Sequence, residues 1–333
     1  MEKLNLFNKE WETTNMASIN EIRIYFARYV ILKKDINNYE KNTIDEISAE
    51  LEKIYQENKE YILASIAIEF STTSDYYATM YLSAKQEKNS YLCGYVSTSA
   101  LSLLLDYYNI YPHQDRFLVN LSYQGEILLM MFACNRFELI EPCYPKIVES
   151  ILNGNMSRSL PWGGDGRGNV VPPRPQRLGV LAIEMMASER KQTIDWDGAN
   201  IPVDPFYHRF CQEALYSTDE NELTDWLTKL CDNHLEWVCL FFDNDEKQPS
   251  TGYEIHDEML LLWPFEYHAV KNFRARHGLS TPKIDHPLLK TPMAIDHLPN
   301  FATWQKPIWY NKMVDKAIEV NPELSFIREL FKS

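Results

Sequence analysis

In STDENELTDWLTKLCDNHLEWVCLFF, residues 217–242, the core-type side chains Leu223, Leu227, Leu230, His234, Val238 and Phe241 return every three or four positions. That period places them on one face of a helix. Ser217 and Glu220 have capping-box spacing, in which each side chain takes a backbone N–H that the first helical turn leaves unpaired. A long helix reaching Phe241 is therefore expected. Acids crowd the same region: Glu213, Asp219, Glu220, Glu222, Asp225, Asp232, Glu236, Asp243, Asp245 and Glu246, with Lys229 the only Lys or Arg among them. These carboxylates give the helix a negative outer surface, and the first-turn acids Asp219, Glu220 and Glu222 also favour the positive end of the helix dipole.

Working outward, the same period recurs along the chain. Ile22, Tyr25, Phe26, Tyr29 and Val30 mark one helix from Ile19. A second is expected from Thr43, capped with Glu46, through Leu51 and Ile54 towards Ile62 and Ile66. Residues 75–87, 91–108 and 114–132 lack proline and are apolar around more than half their circumference, the pattern of interior helices. Further helices are expected over 178–189, from the cap Asp204 with Pro205 at the first helical position, over 254–277 with a kink at Pro264 and a terminating Gly278, over 309–320, and after the cap Asn321 with Pro322. Strand-like alternation is nearly absent. The expected fold is all-α: a multi-helix bundle or repeat-like stack of antiparallel helices, with residues 1–153 and 178–333 as helical subdomains packed in one continuous array. Between them lies one long Gly/Pro-rich loop, 154–177.

Of the 333 residues, 45% are hydrophobic, enough to build a core. The N-terminal MEKLNLFNKEWETTN lacks the apolar centre of a signal peptide, and the apolar runs 127–134 and 259–263 are far shorter than the roughly 20 residues of a membrane span. Six scattered cysteines fit buried free thiols, and a cytoplasmic location is expected. The formal charge of −14 disfavours direct nucleic-acid binding and suits a basic protein partner.

Candidate chemistry is sparse. Trp162-Gly163-Gly164-Asp165-Gly166-Arg167-Gly168 is rich in glycine, yet it has neither the preceding strand nor the Gly-Lys-Ser/Thr ending of a phosphate loop. It reads instead as a loop that contacts a partner through Trp162 and Arg167. Cys231 and His234, three apart on a helix, have no second ligand pair. His256, Asp257 and Glu258 lack the second histidine of a zinc protease, and no Gly-x-Ser-x-Gly elbow occurs. No catalytic residue, cofactor or metal is assigned. An all-helical hydrolase would require His256 or His268 to meet carboxylates in a water-accessible cluster.

Phe206-Tyr207, Glu213-Ala214-Leu215, Asn233-His234-Leu235-Glu236-Trp237 and WPFEYHAVKNFRARHGLSTPKIDHPLL (263–289) resemble immunity family 49 of bacterial polymorphic toxin systems. A competing resemblance is to an all-helical immunity family paired with nuclease toxins of the PoNe type. Either implies a cytoplasmic protein that binds and occludes a cognate toxin delivered by a contact-dependent apparatus such as type VI secretion, and the acidic helix region suits a toxin with a basic surface, such as a nuclease. The expected partner-binding residues are Trp162, Arg167, Asp219, Glu220, Glu222, Asp225, Trp226, Asp243 and Asp245. The alternative is a helical-repeat scaffold that binds another protein in a groove.

Overall fold

The computed structural model describes residues 18–25, 49, 53, 62–83, 86–108, 119–152, 156–157, 175–240 and 254–332. Its helices are α1 (Ile19–Tyr25), α2 (Ile62–Ser83), α3 (Lys88–Tyr108), α4 (Leu121–Ala133), α5 (Tyr144–Leu152), α6 (Leu178–Glu189), α7 (Pro205–Arg209), α8 (Glu220–Trp237), α9 (Phe265–Arg276) and α10 (Ile308–Val320). Among the described residues the only strand pairing is a short parallel one, β1 (Val119–Asn120) with β2 (Met156–Ser157), beside two isolated bridges. The protein is all-α. None of the described helices is long and apolar enough to cross a membrane.

α2 and α3 pack along their length and, being joined within residues 84–87, run antiparallel. On α3 every residue from Leu92 to Leu105 is buried, as expected for an interior helix. α4 packs against both α6 and α9. Its crossing with α6 is so close that a Cβ on Gly125 would lie 2.2 Å from the Gly179 backbone nitrogen, and one on Gly179 would lie 2.6 Å from the Leu121 carbonyl oxygen. Only glycine permits that approach. One hydrophobic cluster then extends from Ile22 to Phe331. All six cysteines are free and buried, and burial raises each thiol's pKa.

Several boundaries differ from the sequence expectation. Asp219, not Ser217, caps α8: its carboxylate accepts from the backbone N–H of Asn221 and Glu222, while Ser217 Oγ accepts from Asp219 N–H. α8 stops at Trp237 because Val238 turns to extended backbone and bridges Ile255. Ile62 and Ile66 begin α2, which absorbs the helix expected over 75–87. The helix expected over 114–132 begins only at Leu121. Pro264 does not kink a helix but stands before the first residue of α9. Upstream, Glu126 takes the N–H groups of His256 and Asp257, and Asp257 takes that of Met259, so those donors serve side chains instead of a helix. The capping pair Thr43 and Glu46 lies outside the described residues.

Other signals coincide with the structure. α6 spans the expected residues, and Asp204 caps α7 by accepting from Phe206 N–H. Asn321 likewise accepts from Glu323 N–H, although the turn it caps is 3-10 rather than α-helical. Gly278, at φ +71°, ends α9. There Leu279 N–H donates to the Arg274 carbonyl and Gly278 N–H to that of Ala275, which satisfies carbonyls that the helix end leaves open.

Candidate partner-binding face and an acidic cavity

α8 turns its apolar side inward through Leu223, Trp226, Leu227, Leu230 and Cys231, and its early acids face solvent. Asp219, Glu220, Glu222 and Asp225 are all exposed. Among the described residues no ion pair involves these four. Glu213 is held by Arg209 at 2.8 Å, and Asp232 meets His286 Nε2 at 3.2 Å. The patch is therefore a concentrated, solvated negative field over the first two turns of α8, where Asp219 has the additional local duty of capping.

Trp226 does not belong to that surface. It is buried, with its ring 5.3 Å from that of Phe206 and 6.0 Å from that of Phe210, so it packs the core and cannot serve as an aromatic anchor for a partner. The helical period that buries Leu223 and Leu230 assigns it to the same face. Trp162, Arg167, Asp243 and Asp245 lie outside the described residues.

The segments that carry the family resemblance meet in space. The Arg274 guanidinium donates to the carbonyls of Leu215 (2.7 Å), Ser217 (2.9 Å) and Ser280, and so clamps the turn leading into α8. His234 Nδ1 lies 2.7 Å from Glu266 Oε2, and its Nε2 lies 3.1 Å from the Leu261 carbonyl. Both ring nitrogens of His234 thus face Glu266 and the Leu261 carbonyl rather than Cys231. No group of three or more metal-ligating side chains occurs among the described residues.

A second feature is a cavity of about 290 Å3 between α2, α3, α4 and the segment 256–260. Glu126 on α4 is 1% exposed. Its Oε1 accepts from the N–H of His256 at 2.8 Å and of Asp257 at 3.3 Å, and its Oε2 lies 3.0 Å from His256 Nδ1. Asp257 Oδ2 accepts from Tyr95 Oη at 2.6 Å. Burial lowers the proton affinity of His256, but the facing Glu126 carboxylate outweighs it and holds the imidazole above the ordinary histidine range. Burial, with Glu126 and Asp75 nearby, holds Asp257 above the ordinary carboxylate range. His268 is elsewhere: its Nδ1 meets Asp296 Oδ1 at 2.9 Å.

Of the residues around this cavity, sequence pattern marks only His256, Asp257 and Glu258. Glu126 escapes it, yet a signal is present: Glu126 is the one charged residue in LSYQGEILLMMFA, and a carboxylate on an otherwise buried helix needs partners. Asp75 and Tyr95 carry no such mark, because they reach the cavity from helices distant in sequence. No family model, curated protein or solved structure matches the chain.

Proposed function

We propose that this chain is an immunity protein that neutralises a cognate antibacterial toxin by occupying its surface, with the exposed first turns of α8 docking against a basic region of that toxin. The observation that carries the reading is the exposed quartet Asp219, Glu220, Glu222 and Asp225, which has no basic partner among the described residues. A field of this kind accelerates encounter with a cationic protein and orients it. The reading is supported further by two of the resemblance segments, 213–215 and 263–289, which meet where Arg274 clamps the turn into α8, since that packing sets where α8 stands.

The test is co-expression with the product of the gene immediately upstream, scored for cell survival and for co-purification at moderate salt. The reading expects survival together with a stable complex. A harmless neighbour that does not co-purify would overturn it and favour the scaffold alternative.

A further inference from the structure

The cavity beside Glu126 is not used by the proposed docking face. Its walls are polar as well as aromatic: Tyr95 and Tyr123 line it together with Glu126, His256, Asp257 and Asp75. Among the described residues that line it, only His256 can carry positive charge, against the carboxylates of Asp75, Glu126, Asp257 and Glu258, a balance that favours a cation. Glu126 is fixed in place by two backbone N–H groups, and its Oε2, although close to His256, accepts no aligned hydrogen bond. A buried carboxylate oxygen held in this way at a cavity wall is ready to accept from a ligand.

The size of the space selects among cations. At about 290 Å3 it is far larger than the roughly 30 Å3 that one water occupies in the liquid, and no three-ligand metal cluster occurs among the described residues. A bare metal ion would leave most of it unfilled. An alkylammonium or guanidinium group on a short aliphatic stem occupies more of it and can set its N–H donors against the carboxylates and its stem against the tyrosine rings.

We propose that this cavity binds such an organic cation, with Glu126 and Asp257 as the principal acceptors and Asp75 contributing at the wall. The proposal stands apart from the toxin-binding reading. The same chemistry can arrive as a small free amine or as a lysine or arginine side chain of a bound protein.

The experiment is calorimetric titration of the full chain with agmatine, which carries both cationic groups, beside 1,4-butanediol as a neutral control. Agmatine is expected to bind saturably at one site and butanediol not at all. Glu126→Gln, whose amide oxygen can still accept from His256 and Asp257 N–H, is expected to weaken agmatine about tenfold or more. Asp75→Asn changes an exposed side chain, so its weakening is readable even if Glu126→Gln does not fold. Absence of saturable agmatine binding, or equal affinity in the wild type and the folded variants, overturns the proposal. If agmatine competes with a toxin that forms a complex, the cation is the toxin's side chain; if both bind together, it is a free amine.

Discussion

Replacing Arg274 with methionine tests the link between the core and the α8 face. Arg274 is 2% exposed, and its guanidinium donates to Ser280 (Nε, 3.1 Å), Leu215 (2.7 Å) and Ser217 (2.9 Å), with a longer bond to Ala214 (3.4 Å). Methionine keeps the apolar stem but donates nothing. The carbonyls left without a donor cost about 1–3 kcal/mol each when buried, and part of this is returned because a charge no longer has to be desolvated. A net loss of about 3 kcal/mol is expected, read as a lower urea midpoint with an unchanged slope in far-UV circular dichroism. The three carbonyls at 214, 215 and 217 immediately precede the Asp219 cap. Hydrogen exchange should therefore accelerate at the Asn221 and Glu222 amides. A loss under about 1 kcal/mol with unaltered exchange there would refute the clamp.

Three further outcomes rest on the packing and the charges. Trp226→Ala should lower stability by about 3–5 kcal/mol, as other buried aromatic truncations do, and leave toxin affinity of the folded fraction unchanged; a selective affinity loss would place the ring at the interface instead. Gly125→Ala forces the α4 and α6 backbones apart and should cost more than about 3 kcal/mol in chemical denaturation, whereas Gly278→Ala, with open space around it, should cost only about 1 kcal/mol from its positive φ. His268, lowered to about 4 by burial and then by Lys271, binds protons less readily when folded than when unfolded. Its contribution is therefore present above the unfolded value near 6.5 and is lost as pH falls through about 4, by up to about 3 kcal/mol. Relative to His268→Asn, the wild type should lose stability over that interval, and parallel pH profiles would contradict the assignment.

Local signals are the most legible part of the sequence. Arg177 and Glu189 bracket an apolar run broken only by Glu184 and Ser188, which is why α6 can be bounded, and Asp204-Pro205, Asn321-Pro322 and Gly278 mark helix starts and a helix end through backbone chemistry that acts within a few residues. Periodicity misleads where a distant side chain takes over a backbone donor. The segment before Pro264 has helical spacing, but Glu126, more than a hundred residues earlier, takes the amides of His256 and Asp257. The cavity is hidden for the same reason, since only the tertiary packing brings Asp75, Tyr95, Glu126 and Asp257 together. On α8 the periodicity that locates the acids also implies that Trp226 points inward, a consequence that its aromatic character obscures.

The most direct test of toxin binding through α8 is the association rate with the toxin as a function of ionic strength, for the wild type and for Glu220→Lys/Glu222→Lys/Asp225→Lys. Asp219 stays unchanged because it caps the helix. Association roughly tenfold slower or more at low salt, with a flatter salt dependence and preserved circular dichroism, is the predicted result. An unchanged rate and salt slope in a folded variant would contradict the account.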